Sequence, residues 1–469
     1  MRISAALVWV RRELRVHDHP PLCAALAAHD AVLPVFCVDE RLIRGRFPSP
    51  ARVWFLLESL AELRASLRER GGALAVRVGR PEEELPRLAR EAGASDVYFA
   101  GDVSPFARAR DAATVAALER AGVRAHVTPG VFAVDDPGEV RTRDGRPYTV
   151  FSPFHRAWRG VRRRSVLDAP ERIPAPRGVP AGELPSLEDL GLALDLADPL
   201  APGERAARER MDGFLRDELR GYAADRDGLT GTSQLSPHLH FGCLSARELE
   251  ARAARHGGAG AEAFVRQLAW RDFYGHVLRH HPRNARGAMQ PRFDALEWDD
   301  APERLAAWRE GRTGYPLIDA AMRQLRTVGW MPNRARLAVG AFLAKDLHVD
   351  WRAGEAHFMR FLLCGDEAQN NGNWQWIAGT GVDPQPYFRR MYNPVAQQRR
   401  LDPEGRYVRR WVPELRDVPG ERLAEPWTMS EDEQRAARCE IGRDYPLPIV
   451  DHAAERREAM ARYRRVADN

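Results

Sequence analysis

The chain has 469 residues, 44% of them hydrophobic and 29% charged, with a formal net charge of +5. That length exceeds one compact core and calls for two or three domains of a soluble globular protein. The basic excess is carried by arginine, with Lys345 the sole lysine. Arginine forks onto phosphate and stacks on bases, which suits a polyanionic partner, but a GC-rich coding bias explains the excess as a whole. Functional weight therefore falls on arginines placed by a motif. Cys23, Cys37, Cys243, Cys364 and Cys439 form no CxxC pair, which argues against a disulfide framework or structural zinc and fits a reduced cytoplasm. No segment reaches the length of a membrane span. The apolar run from Ile3 to Val10 leads into Arg11, Arg12 and Glu13 with no cleavage pattern, so it reads as a strand.

From the N-terminus, short apolar runs (Ala5 to Val10, Val32 to Val38, Ala73 to Val78, Asp96 to Ala100, Val123 to Val127) alternate with helical patterns (Pro20 to Ala28, Val53 to Arg70, Glu82 to Ala92, Ala107 to Ala121). This predicts an α/β domain over residues 1–129 with a five-stranded, parallel, doubly wound sheet, whose ligands sit beyond the carboxyl ends of the strands. It carries no GxGxxG fingerprint. Residues 130–203 are rich in Pro, Gly and Arg and read as an interdomain linker with short helices, including an aromatic piece from Tyr148 to Trp158. Within it, Arg159 to Arg164 reads as a solvated basic face. From residue 204 to 469 apolar spacings of three and four predict an all-α domain.

Two stretches of the helical part carry chemistry. Leu362 to Gly381, LLCGDEAQNNGNWQWIAGTG, sets Asp366, Asn370, Asn371, Trp374 and Trp376 within a few turns. Indoles pack on the faces of a planar heterocycle and amides read its polar edge, although core tryptophans at a helix end would look the same. Thr230 to Gly242, TGTSQLSPHLHFG, places Thr232, Ser233 and Ser236 ahead of a proline suited to a first helical turn. Hydroxyls and free N–H groups at a helix start suit a pyrophosphate, and they also serve as ordinary caps.

The partners of these stretches decide between the readings. Tyr222 and Arg226, FVRQLAWRDFY (Phe264 to Tyr274), WREGRTGYPLIDAAMRQL (Trp308 to Leu325), GWMPNRARL (Gly329 to Leu337), DWRAGE (Asp350 to Glu355) and VWVRRELRVHDHPPL near the start fall in order around them. Together they resemble the photolyase/cryptochrome family over nearly the whole chain, and most closely its class I bacterial members that repair cyclobutane pyrimidine dimers.

The resemblance implies an FAD held by the helical domain. Tyr222, Thr232, Ser233, Gln234, Leu235 and Ser236 would hold its phosphate region. Phe264, Trp330, Asn333, Arg336, Cys364, Gly365, Asp366 and Asn370 would surround the rest, with Asn370 beside flavin N5, where an amide hydrogen-bonds without supplying an acid proton. The implied activity is light-driven repair by electron transfer from excited reduced FAD to a flipped dimer in UV-damaged DNA. Trp270 and Trp376 match the aromatic pair packing on the dimer. Arg226, Gln267, Arg271, Asn333 and Arg334 match polar contacts to lesion or phosphate. Trp374, Trp351 and Trp308 match a chain that reduces flavin from the protein surface, and Trp298 is assigned to structure. A monomer is expected. The family often carries an antenna, 8-hydroxy-deazaflavin or methenyltetrahydrofolate; Arg11, Asp39, Glu40, Arg52 and Asp102 lie at strand ends where a ligand could bind, without forming a signature.

Two positions depart from the pattern. Gln267 stands where dimer photolyases commonly have glutamate, and a glutamine there is a feature of (6-4) photolyases and animal cryptochromes; its amide pairs with a thymine edge all the same. The (6-4) enzymes carry a histidine pair where this chain has Pro332 and Asn333. Cys364 stands where an aspartate usually pairs with the arginine matched by Arg336, unless Asp366 takes over that pairing. The alternatives are a cryptochrome-type photoreceptor without repair, and (6-4) repair.

Overall fold

The computed structural model describes residues 4–382 and 390–467. Ile3, the first residue of the apolar run, lies outside them.

Five parallel strands, β1 (Ala5–Trp9), β2 (Ala31–Val38), β3 (Ala75–Val78), β4 (Ala94–Ala100) and β5 (Arg124–Thr128), form a sheet in the order β3-β2-β1-β4-β5. The central strands β1 and β2 are buried at every position, as unbroken apolar runs covered by helices on both faces must be. Pro34 sits in β2 beyond the part paired with β3, which begins at Val35, so no ladder bond to β3 is lost there. The crossovers are α1 (Pro20–Ala28), α2 (Pro50–Glu69), α3 (Pro81–Ala92) and α4 (Pro105–Arg120), each opening on a proline whose missing N–H is no loss at a helix start. Ser49 and Ser104 cap α2 and α4, and Gly93 ends α3 in the left-handed region.

The connector is not a loose tether. Its helix α5 (Phe151–Gly160) buries Phe151, Phe154 and Trp158. Farther on, backbone bonds tie it to the sheet and to the end of α2: Val32 N–H donates to Pro174 O at 2.7 Å, and Ile173 N–H to Arg70 O at 2.8 Å. The basic run is divided: Arg159 and Arg162 are exposed, as a solvated face requires, while Arg163 pairs with Glu250 and Arg164 with Asp18.

Beyond residue 203 every regular element among the described residues is helical. Those that build the site are α6 (Ser236–Phe241), α7 (Gly258–His280), α8 (Pro316–Val328), α9 (Asn333–Ala341), α10 (Trp351–Phe361) and α11 (Glu367–Ala378). The loop after β1 is laced to the end of α6. Leu14 N–H donates to Phe241 O, and Arg15 donates to Gly242 O. Gly242 has φ +68°, and a Cβ there would lie 1.7 Å from Arg12 O, so the approach requires glycine. One hydrophobic cluster runs from Ala6 in β1 through Ile173 in the connector to Phe264 and Leu268 in α7.

Candidate functional site

A cavity of about 560 Å³ opens among α6, α7, α9 and α11. Its floor forms where the chain turns into α6. Gln234 adopts φ +56°, and Pro237 opens the helix after Ser236. Trp330 Nε1 donates to Ser236 Oγ at 3.2 Å, joining this turn to the start of α9. Tyr222, Thr232, Ser233, Gln234, Leu235 and Ser236 line this end.

The remaining walls bring together Phe264, Gln267, Trp270 and Arg271 from α7, Trp330, Asn333, Arg334 and Arg336 around α9, and Cys364, Asp366, Asn370, Trp374 and Trp376 on or before α11. Arg226 lines the same space. On α11, Asn370 Nδ2 donates to Glu355 O at 3.0 Å, which turns its carbonyl oxygen, an acceptor, away from α10. Asn371 instead points behind the helix, donating to Glu355 Oε1 at 3.0 Å. Burial raises the Glu355 carboxyl to about 7, against the hydrogen bond from Asn371.

Several expected residues are placed differently. Gly365 does not line the cavity; a Cβ there would lie 2.3 Å from Arg52 Nη1, so the residue is small to admit an arginine from the sheet domain. Asp366 caps α11 by accepting from Gln369 N–H, and its carboxylate is held by Arg12 at 2.5 Å. Burial works against its charge, but Arg12 overrides this and keeps the carboxyl well below its usual range. Asp366 therefore does not replace the missing partner of Arg336, which donates to Cys364 Sγ at 3.3 Å and to Met331 O at 3.0 Å and meets no carboxylate among the described residues. Arg271 lines the cavity with its guanidinium spent on Val131 O and Leu239 O, so it braces the wall. Arg334 is paired with Asp227 at 2.6 Å.

The tryptophan chain also needs correction. Trp308 is 0% exposed and stands directly behind Trp374, with ring centroids 6.2 Å apart, so it cannot be an outlet at the surface. Trp351 is 1% exposed in the same cluster. Three partly exposed indoles, Trp298, Trp411 and Trp427, pack at that cluster's edge, and Asp299 N–H beside Trp298 donates to His348 O, three residues before Trp351.

Sequence reasoning missed His240, Tyr274, Gln369 and Asn373, which also line the cavity, although all four lie inside the quoted stretches. His240 Nδ1 is buried without a hydrogen-bond partner among the described residues, 3.7 Å from Asp366, and burial lowers the imidazole to about 4. Phe151 was missed as well; it stacks on Trp270 from behind at 3.7 Å and 6°.

The donor set fits a large, polar, planar cofactor. Hydroxyls cluster at one end; indoles, an amide acceptor and the Arg336 guanidinium stand at the other. The buried Trp374 Nε1 has no hydrogen-bond partner among the described residues. The candidate antenna residues, by contrast, are engaged by neighbouring charges or by the backbone, Glu40 by Arg44. Arg11 meets Asp111, Asp39 caps a short helix and holds Arg41, Arg52 donates to Phe47 O, and Asp102 faces Arg12.

Residues 6–177 match the family model described as DNA photolyase, and residues 264–465 match the FAD binding domain of DNA photolyase. The curated deoxyribodipyrimidine photo-lyase of Streptomyces griseus is 44% identical over 99% of both chains. The chain belongs to the DNA photolyase family. Among solved structures, a bacterial class III photolyase from Agrobacterium tumefaciens agrees with a TM-score of 0.93 at 35% identity, covering 100% of this chain and 99% of that one. A Synechocystis cryptochrome agrees with a TM-score of 0.91 at 30% identity, covering 98% and 99%. The expected closeness to class I is overturned by the class III match. The motifs behind that expectation line the cavity, and a cavity shaped for one cofactor does not separate subclasses. Gln267 and Cys364 were the positions at which the class I pattern had failed.

Proposed function

We infer that this protein is a deoxyribodipyrimidine photo-lyase that binds FAD and repairs cyclobutane pyrimidine dimers in light. The observation that carries this reading is a single cavity that gathers the hydroxyl turn before α6, the amide of Asn370 and the paired indoles Trp270 and Trp376. When bound, FAD in its reduced, photo-excited form supplies the electron that splits the dimer.

The chain's own residues supply position and electrostatics. Thr232, Ser233 and Ser236 would take the phosphates, with Tyr222, Gln234 and Leu235 closing that end. Phe264, Trp330, Asn333 and Arg336 would hold the rest, and the Asn370 carbonyl would accept from a ring N–H without donating a proton. Cys364 leaves Arg336 without a carboxylate, which favours negative charge on the bound ring. Trp270 and Trp376 would sandwich a flipped dimer while Gln267 reads its edge and Arg226 approaches phosphate; Arg334 would do so by giving up its exposed partner Asp227. For electron supply we assign Trp374 and Trp351 to the interior of the wire and Trp298, not the enclosed Trp308, to its outlet. An outlet must meet solvent, and Trp298 is the partly open indole whose backbone neighbour Asp299 is bonded to His348, close to Trp351.

The protein would act as a monomer in the cytoplasm; among the described residues no helix is long and apolar enough to cross a membrane. A folate or deazaflavin antenna at the sheet edge would displace existing ion pairs, and mass analysis of the extracted chromophores tests for one. Repair itself is tested by illuminating reduced protein with dimer-containing single-stranded DNA and following thymine absorbance. Full recovery is expected. No recovery from protein that carries FAD would overturn the repair reading in favour of a photoreceptor.

A further inference from the structure

The two cavity-facing tryptophans assigned to the lesion are backed in different ways. Trp270 leans on an aromatic stack, Phe151. Trp376 leans on a cation. The Arg390 guanidinium lies 3.8 Å from its ring centroid and donates to Trp376 O. Arg390 is 3% exposed, and its own carbonyl accepts from Nζ of Lys345, the chain's sole lysine, at 3.0 Å. The remaining edge of the indole packs on the small cluster of Leu337, Ala341 and Ile377. The half-buried Trp376 is thus held at its backbone, on one face and along one edge, while it still lines the cavity.

We propose that Arg390 is a positioning residue for lesion recognition, fixing the plane of Trp376 so that its cavity face is ready to stack on a flipped pyrimidine dimer. This rests on the reading of Trp376 as a lesion contact. Three physical points support it. A buried guanidinium over an indole is worth more than an exposed one, because water does not compete for the cation. A plane fixed in advance loses no rotamer freedom when the substrate arrives. The backbone bond and the ring contact come from one rigid, planar side chain, so helix end and indole move together. Being enclosed, Arg390 reaches the substrate through Trp376 rather than as a phosphate contact.

The test uses the FAD-loaded full chain. Binding is measured by anisotropy for a single strand carrying one cyclobutane dimer and for the same strand undamaged, across a salt series. The variants are Arg390→Met, Arg390→Lys, Trp376→Ala and the Met/Ala double. Arg390→Met is expected to weaken dimer-strand binding about tenfold, the scale of a desolvated cation–π contact. Binding of the undamaged strand and the salt slope should stay unchanged. The double variant should be no weaker than Trp376→Ala alone, and Arg390→Lys should recover part of the loss. Should Arg390→Met fold poorly, judged by melting and flavin absorbance, the lysine variant carries the same comparison at smaller amplitude. Equal weakening of both strands with a slope lower by about one would make Arg390 a phosphate contact and overturn the proposal. So would additive losses in the double variant, or an effect of Trp376→Ala without one of Arg390→Met. If both single variants bind as the parent does, the lesion role of Trp376 falls and the proposal falls with it.

Discussion

The carboxyl edge of the sheet and the helical cavity both gather polar side chains, but they use them in opposite ways. At the sheet edge the charges answer one another: Arg12 bridges Asp102 and Asp366, and Arg11 meets Asp111. Around the cavity, Arg226 and Asn333 have no side-chain partner among the described residues, and the Arg336 guanidinium meets only a thiol and a carbonyl. A group already paired inside the protein holds the fold. A group left unpaired in a concave space is available to a ligand, so the density of polar residues alone does not mark a site.

That contrast predicts which losses fall on stability and which on binding. The largest effect should come from acid at the junction of the two domains. Burial lowers His19 to about 3 and His238 and His240 to about 4, from an unperturbed 6.5. Groups whose folded pKa is depressed stabilise above the unfolded value and lose that contribution as pH falls, so the urea-unfolding free energy should drop between pH 7 and 5, by roughly 6 kcal/mol in all. Next, Arg12→Ala strands a buried carboxylate at Asp366 and should cost about 3 kcal/mol in chemical denaturation. If it removed only FAD and left the midpoint intact, the sheet edge would belong to the ligand site after all. Asn333→Ala is the converse case: flavin affinity should fall about tenfold with melting unchanged, since one unmet hydrogen bond is at stake. The smallest shift is expected from Cys364→Asp. Giving Arg336 a carboxylate should lower the flavin midpoint potential by about 30 mV, a tenfold change for a two-electron couple. An unchanged potential would mean that Arg336 does not feel residue 364.

Much of this was legible in the chain. Strands read as apolar runs and helices as spaced apolar patterns, because both signals are local, although three helices begin on Pro50, Pro81 and Pro105, just ahead of the expected starts. The cavity lining was legible at Thr232, Ser233, Asn370 and Trp374, where the motifs sit within a few turns. What could not be read depends on distance in the fold. Arg12 and Asp366 are 354 residues apart, and no local pattern announces their pairing. Trp308 and Trp298 look alike as letters; only packing makes one wholly buried and leaves the other partly open. Phe151 belonged to a stretch read as connector, and its stack on Trp270 appears once that stretch folds onto α7.

The hydrophobic cluster that runs from β1 through Ile173 to α7 bears on how the molecule comes apart. A protease cutting the more open chain at residues 168–172 would sever a covalent link and release nothing, because both pieces still share that interior. The sheet half produced alone would carry a bare apolar face and would aggregate. The halves are therefore unsuited to life as exchangeable modules: during synthesis the sheet half emerges first and must wait for some hundred further residues before its last face is covered.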